Sequence, residues 1–327
     1  MLLTSLALAG LAVALAWPVP IALAASAWPS RAPVTALIVW QAVALAGGLS
    51  MIGALLCYGL QPFGDDLVGA LVEFARRLGA GTLPSSADFV HMFALSSAVL
   101  LGIHLLLNLV LAFVRDERSR RRHRRLVQLL SSPLPDQPGT RLLDHEAPVA
   151  YCLPGSTRSI TVLSAGLISI LDEEQLRAVI AHEQAHAMQR HHLVLLAFRA
   201  WRRSLPWFPI ATKAQDAVAV LVEMLADDRA RRAVGDSVLA TAIAVVAIGA
   251  PAKSAHLVAP DGDGAGVVDH GEALAASGPA AMGRISRLIT PANPLSSAAK
   301  VFAVLCALSL LAVPTALLLL PLLSCQR

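Results

Sequence analysis

The sequence predicts a mainly α-helical membrane protein, in which four transmembrane helices carry an α+β domain inserted between the third and the fourth. Hydrophobic residues make up 56% of the 327 residues and charged residues only 15%, a composition far too apolar for an ordinary soluble protein. Four apolar runs are each long enough to cross a bilayer core, which takes about 20 helical residues. A more polar stretch separates the third run from the fourth.

The first two apolar runs predict membrane spans at residues 1–26 and 35–60. No lysine or arginine precedes the first run, so we expect a retained helix rather than a cleaved signal peptide. Pro18 and Pro20 should bend this helix. In the second span, the pair Gly47–Gly48 should permit close contact with another helix.

The third span is predicted at residues 89–114 and the fourth at residues 299–323. Between the second and third spans, residues 61–88 are expected to form an extracytoplasmic loop that contains a short interfacial helix. His104 and Asn108 lie one turn apart within the third span. Polar side chains are costly to leave unpaired in a bilayer, so both should face other helices or the domain.

An arginine-rich segment, residues 115–125, follows the third span directly and holds seven basic residues. Positive residues beside a span mark the cytoplasmic side, so the inserted domain, residues 115–290, is predicted to be cytoplasmic. The position of the segment beside a span favours anionic lipid headgroups of the bilayer as its partner, and we expect no direct nucleic acid binding. The four cysteines show no paired spacing, so we expect neither a disulfide framework nor a cysteine metal site.

Short strands and helices are predicted along the domain. Ala147–Pro154 and Ser159–Ser164 have the pattern of two short strands. Thr212–Gln215 is a capping-box pattern that is expected to start a helix. Ser237–Ala250 is an apolar helix too short to span comfortably, and we expect it in the domain core. The glycine- and aspartate-rich stretch 251–277 is expected to form a mobile loop.

The motif His182-Glu-Gln-Ala-His186 has the clearest chemical meaning. Asp172 and Gln175 form a capping-box pattern that places the motif on a helix, where His182 and His186 project from one face. Two imidazoles at this spacing can share one metal ion, and Glu183 can reach a water on that metal. The arrangement is typical of a zinc hydrolase. The alternative is an exposed helix that carries incidental histidines.

A catalytic zinc usually has three protein ligands, and two residues compete for the third place. His192 would suit a chain that doubles back after a glycine, but Gln189 occupies the glycine position. On a continuing helix, His192 would lie about 15 Å along the axis from His182. Glu223 is the better candidate, because a carboxylate in an apolar helical run is costly to bury and a metal would neutralise it. Asp227, one turn further on, can accept the free ring N–H of a zinc-bound histidine.

The predicted Zn²⁺ ligands are His182, His186 and Glu223. Glu183 is predicted to take the proton of the attacking water and to return it to the leaving amine. A competing interpretation pairs Glu223 and Asp227 with Arg229 or Arg232 and needs no metal.

The sequence leaves the oxyanion donor and the substrate contacts less determined. The candidates for the oxyanion donor are His191, His192, His256 and His270. The strand Ile160–Leu163 could bind an extended peptide substrate by strand addition, which would favour peptides without deep side-chain pockets.

Three stretches match a known family in motif and order: Ala181–His186, Trp207-Phe-Pro209 and Glu223–Asp227. The chain resembles the BlaR/MecR-type integral-membrane metallopeptidases and, more distantly, the HtpX-like peptidases, which share the pair Arg190-His191. The resemblance implies a gluzincin-type zinc domain on the inner face of a bacterial cytoplasmic membrane. It also implies cleavage of a cytoplasmic protein, for example a winged-helix transcriptional repressor.

The BlaR/MecR-type sensors also carry an extracellular penicillin-binding domain after the fourth span. This sequence ends there, so direct β-lactam sensing is not expected. The predicted function is an integral-membrane zinc endopeptidase with a regulatory role. Two alternatives stay open: HtpX-like quality control of membrane proteins, and a non-hydrolytic signalling scaffold whose zinc domain binds a partner protein.

Overall fold

The computed structural model describes residues 1–134, 139–153, 160–205, 209–249, 278–290 and 292–324. The predicted loop 251–277, with His256 and His270, lies outside these residues, as do Trp207 and Phe208. The described chain is mostly helical and has one small sheet.

The helices are α1 (Leu2–Ala16), α2 (Pro18–Ala25), α3 (Pro33–Leu60), α4 (Leu67–Ala80), α5 (Phe89–Leu130), α6 (Ala165–Ile170), α7 (Glu173–Met188), α8 (His191–Ser204), α9 (Pro209–Ala230), α10 (Asp236–Gly249), α11 (Gly278–Ile289) and α12 (Ser297–Ser324). The strands are β1 (Ser131–Pro133), β2 (Thr140–Leu143), β3 (Ala150–Leu153) and β4 (Ile160–Ser164).

Four helical stretches of the described chain are long and apolar enough to cross a membrane, as judged from length and composition. They comprise α1 with α2, α3, α5 and α12. The first stretch is interrupted at Trp17, because Pro18 disfavours helical backbone in the residue before it. Pro18 then starts α2, and Pro20 lies in the first turn of α2, where proline is tolerated.

Helix α3 is the centre of the apolar bundle and packs against α1, α5 and α12. A Cβ atom on Gly59 would lie 2.9 Å from the backbone oxygen of His91 on α5, so the two helices approach closely only because Gly59 has no side chain. At the predicted pair Gly47–Gly48, only Gly47 lies against another helix, and that contact does not require a glycine. A Cβ atom on Gly48 would meet nothing within 4 Å, and one on Gly47 would make an ordinary contact with Leu15 at 3.6 Å.

The third apolar run and the arginine-rich segment form one uninterrupted helix, α5, of 42 residues. Ion pairs four residues apart support its polar end: Asp116 with Arg120 at 2.6 Å, and Glu117 with Arg121 at 2.6 Å. Residue 114, the predicted end of the span, is therefore not the end of the helix. The helix continues for about 24 Å beyond Val114, at 1.5 Å per residue.

The sheet has the strand order β1-β2-β4-β3. β3 and β4 are the two predicted strands and pair antiparallel, whereas β1 and β2 were not predicted from the sequence. β4 also pairs with β2 in parallel, so it lies inside the sheet. The predicted addition of a peptide to Ile160–Leu163 is therefore wrong, because both edges of this strand are already hydrogen-bonded.

The start of α7 confirms the first predicted capping box. Asp172 accepts a hydrogen bond from the backbone N–H of Gln175 at 2.8 Å, and the Gln175 side chain accepts one from the backbone N–H of Asp172 at 3.2 Å. The second predicted capping box is wrong, because α9 begins at Pro209, ahead of Thr212. Thr212 therefore lies inside the helix and is not its N-cap. Gln215 is instead buried in the domain.

Helix α10 packs against α7 and α11, which confirms its predicted place in the domain core. The cluster at this contact includes Ala178 of α7, Leu239 of α10 and Leu288 of α11, each at most 2% exposed. The motif helix is therefore held on one side by apolar packing.

Helices α8 and α9 pack directly onto the apolar bundle. Trp40 of α3, only 1% exposed, lies in one cluster with Val222 of α9. The ring nitrogen Nε2 of His104 lies 3.1 Å from the backbone oxygen of Ser204 at the end of α8, so this polar side chain faces another helix as predicted. Asn108 instead donates to the backbone oxygen of His104 within its own helix, at 2.9 Å.

The substitution Gly59→Ala is expected to lower the melting temperature of the detergent-solubilised protein, because the new methyl group would overlap the backbone of α5. Overpacking of this kind costs about 1–3 kcal/mol. Gly48→Ala is the matched control: its methyl group meets open space, so the melting temperature should stay the same or rise slightly. Thermal unfolding followed by circular dichroism measures both. Equal melting temperatures for the two variants would contradict the close α3–α5 contact.

Candidate metal centre

Two helices bring three metal-ligating side chains together. His182 and His186 come from α7 and Glu223 comes from α9, and one ligand atom of each lies within 4.8 Å of the others. The Nε2 atoms of the two histidines are 3.1 Å apart. Glu223 places one carboxylate oxygen 3.3 Å from His182 Nε2 and the other 3.3 Å from His186 Nε2. A single ion could contact all three side chains.

The local sequence explains this convergence. The four-residue spacing puts His182 and His186 on one face of α7, and α7 packs against α9. On α9, the neighbouring residues Val222 and Glu223 point about 100° apart, so Val222 packs towards α3 while Glu223 faces α7. His182 and Glu223 are 8% and 9% exposed, so the carboxylate requires a partner of positive charge.

Asp227 lies one turn after Glu223 and is only 1% exposed. Its Oδ1 atom lies 3.0 Å from Nδ1 of His182. A second partner, Arg284 of α11, donates to both oxygens of Asp227 at 2.8 and 2.7 Å. The same guanidinium group approaches Glu223 Oε2 to 2.9 Å. One arginine therefore joins both acidic side chains.

Arg284 is the site residue that sequence reasoning missed. The competing interpretation paired the acidic residues with Arg229 or Arg232, but the arginine that contacts them in the described chain is Arg284. This residue lies 57 positions after Asp227, so no helical spacing connects the two. Its signal in the sequence is weak: Arg284 is one of two arginines, with Arg287, on a short, otherwise largely apolar helix, and a buried arginine needs a carboxylate partner.

The family comparison matches residues 114–292, more than half of the chain, to peptidase family M48. The chain belongs to peptidase family M48. No curated protein and no solved structure matches this peptidase. The match is to the family as a whole, so it does not distinguish BlaR/MecR-type from HtpX-like peptidases.

M48 peptidases are typically zinc-dependent, and the side chains of this peptidase fit that ion. Two imidazole nitrogens and one carboxylate oxygen are a common ligand set of catalytic zinc. Tetrahedral bonds of about 2.1 Å separate neighbouring ligand atoms by about 3.4 Å. The separations of 3.1 and 3.3 Å among His182, His186 and Glu223 are close to this value.

The surroundings shift the pKa values of these side chains and so determine how they can bind a cation. Burial lowers the pKa of His186 to about 3, so its ring is neutral and offers a lone pair. Burial alone would raise the pKa of Glu223, but the charge of Arg284 and the contact with His182 outweigh it and hold the pKa below its usual range. For His182, contacts with Asp227 and Glu223 outweigh burial and raise the pKa to about 10. A metal must therefore displace a proton from the His182 ring.

Glu183 lies half-buried beside the cluster, as its place after His182 requires. Burial raises the pKa of Glu183 to about 7, although the charge of His182 opposes this shift. A carboxyl group whose pKa lies near neutrality is well matched to accept and return a proton at physiological pH. In this peptidase, Glu183 is therefore suited to general acid–base chemistry.

The two histidines that follow α7 have different surroundings. α7 ends at Met188, so the metal helix does not continue to His192. His192 lies near Asp116 and Arg120 of α5 and is not part of the metal cluster, so the alternative third ligand is wrong. His191 instead lies against His186, with the two Nδ1 atoms 3.2 Å apart. Of the predicted oxyanion candidates, only His191 is described beside the cluster.

The substitution Arg284→Gln is expected to lower the melting temperature of the metal-free protein strongly, because protonated His182 alone would then face the two charges of Asp227 and Glu223. Breaking a buried ion pair in this way costs about 3–5 kcal/mol. Added zinc should restore part of the loss by supplying positive charge at Glu223. The control Arg232→Gln, at an exposed position, should change stability by less than about 0.5 kcal/mol. Thermal unfolding with and without a chelator gives the comparison, and equal losses for the two variants would contradict the assigned contact.

Proposed function

We propose that this M48 peptidase is an integral-membrane zinc endopeptidase of the bacterial cytoplasmic membrane, with its catalytic domain on the cytoplasmic side. The observation that carries the proposal is the convergence of His182, His186 and Glu223 on one point from two helices. The four apolar helical stretches support the membrane location. The arginine-rich segment, residues 115–125, supports cytoplasmic placement and contact with anionic headgroups.

In the proposed mechanism, His182, His186 and Glu223 would hold Zn²⁺. Zn²⁺ bound there would act as a Lewis acid that acidifies water and polarises the peptide carbonyl. Glu183 accepts the proton of the attacking water and returns it to the leaving amine. Asp227 holds the ring of His182, and Arg284 fixes both acidic side chains.

We place the substrate backbone at β3. This strand ends the sheet within the described residues, and α7 packs against it. The backbone N–H of Ser164 donates to the oxygen of Val149 at 2.9 Å, so alternate residues from Val149 onwards turn their backbone towards β4. Ala150 therefore turns its N–H and C=O to the outer edge. An extended peptide could add there as a further strand beside the metal helix.

The regulatory role rests on the resemblance to BlaR/MecR-type peptidases, in which three spans precede the domain. A cytoplasmic protein such as a winged-helix repressor is the substrate that this role implies. The M48 membership alone is equally compatible with quality control of membrane proteins.

The substitution Glu183→Gln is expected to lower the rate of peptide hydrolysis by at least about 10²-fold, because the amide cannot accept the proton of water. Zinc content should stay at the wild-type level, since residue 183 holds no metal in this assignment. Cleavage of denatured casein by the purified protein and metal analysis of the same sample measure both. Glu173→Gln, at an exposed position of the same helix, is the control and should keep full activity. An active Glu183→Gln enzyme would contradict the mechanism.

The same variant separates the possible roles in cells. Proteomes of strains with the wild-type or the Glu183→Gln protein should differ in a few discrete proteins if the peptidase is regulatory. A broad set of accumulated membrane proteins would indicate quality control. Identical proteomes of the two strains, together with zinc bound to the protein, would favour a non-hydrolytic signalling scaffold.

The substitution Ala150→Pro is expected to raise KM for a protein substrate up to about tenfold, because it removes one backbone donor worth about 0.5–1.5 kcal/mol. The ladder between β3 and β4 should stay intact, since this N–H faces outwards and proline is tolerated on sheet edges. Ala150→Ser keeps the N–H and is the matched control. Steady-state kinetics on casein give KM for both variants, and unchanged kinetics for Ala150→Pro would exclude strand addition at this position.

A further inference from the structure

A histidine that binds a metal through one ring nitrogen carries its proton on the other nitrogen, and that N–H needs an acceptor. In the cluster, His182 and His186 both turn Nε2 inwards, so their outer nitrogens are Nδ1. The outer nitrogen of His182 faces Asp227. The outer nitrogen of His186 faces a different side chain, His191, at 3.2 Å.

The surroundings of His191 decide which of its nitrogens can accept. Its Nε2 atom lies 2.6 Å from the side-chain oxygen of Gln189, and a carbonyl oxygen can only accept a hydrogen bond. With the Gln189 amide in this orientation, the proton of His191 lies on Nε2. Its Nδ1 atom is left with a lone pair, directed at Nδ1 of His186. The rings of His186 and His191 meet at 89°, with their centroids 4.9 Å apart. Each hydrogen bond in the series from His186 through His191 to Gln189 then has one donor and one acceptor.

The backbone before His191 is held in an unfavourable conformation. Arg190 has φ 50° and ψ 38°, and it is the one non-glycine residue with positive φ in the described chain. This conformation costs about 1–2 kcal/mol for a residue with a Cβ atom. It ends α7, starts α8 and brings the next side chain back against the ring of His186. His191 is 3% exposed, although it occupies the first position of a helix. Strain that persists at such a turn points to a role for the residue it places.

We infer that His191 is a positioning residue for the metal ligand His186: its Nδ1 atom accepts the N–H of His186 Nδ1 and so fixes the ring with Nε2 facing the metal. The inference rests on the proposed function, because it requires zinc at His182, His186 and Glu223. His191 orients the ring of His186, as Asp227 orients the ring of His182. The two partners come from different helices, α8 and α9. His191 touches neither metal nor substrate in this role.

The test is zinc affinity of the full-length protein in detergent, measured by competition with a chromophoric chelator. His191→Phe keeps an aromatic ring but offers no acceptor, and it should weaken zinc binding by about 10–100-fold. His191→Asn places an oxygen near the position of Nδ1 and should restore most of the affinity. Gln189→Leu leaves the His191 ring in place, removes the acceptor that fixes its proton, and should weaken binding by a smaller factor. His192→Phe, on the neighbouring residue outside the cluster, is the control and should bind as the wild type does.

The outcomes separate this inference from the proposed function. A wild-type protein that binds no zinc overturns both. Zinc binding by the wild type and equal affinity for His191→Phe overturn the positioning role alone. Equal weakening by His191→Asn and His191→Phe indicates that the imidazole only fills space, which also overturns it. Should His191→Phe fail to fold, the other two variants decide. Weaker zinc binding by Gln189→Leu together with nearly wild-type binding by His191→Asn supports the inference, and unchanged binding by Gln189→Leu overturns it.

Discussion

The domain depends on balancing the charges of two buried carboxylates, which lie beside two imidazoles. Arg284 balances one of the negative charges of Asp227 and Glu223, so the group keeps one negative charge that needs a cation. In the metal-free protein a proton on His182 meets this need, which is why the pKa of that ring lies far above its ordinary value. A zinc ion and this proton therefore compete for the same place. The energetic cost of burying the charges is balanced only when α7, α9 and α11 are all docked.

The parts of the site that the sequence predicts are those with a local pattern. The spacing of His182 and His186, the capping box before them, and a carboxylate within an apolar helical run each follow from residues within a few turns of one another. The strands β3 and β4 were predicted for the same reason, since each is marked by a short local pattern. The core position of α10 follows from its length and apolarity.

Other features depend on contacts between distant residues, and no local pattern marks them. Arg284 meets Asp227 across 57 positions, and β2 pairs with β4 in parallel, which places β4 inside the sheet. The turn at Arg190 has no glycine, so the rule that glycine ends a helix predicted no sharp turn there. The sequence could not show that β3 is an edge strand and β4 an inner one, because β1 and β2 were not predicted.

Helix α9 has two faces with different tasks: one carries Glu223 and Asp227, and the other lies against Trp40 of α3. The cluster on this second face also contains Phe198 of α8 and Val218 of α9. A fragment cut out at residues 115–290 would expose this apolar face to water. The metal-site domain and the apolar bundle thus share one hydrophobic core. Biochemical experiments on this peptidase therefore call for the intact chain in a lipid-like medium.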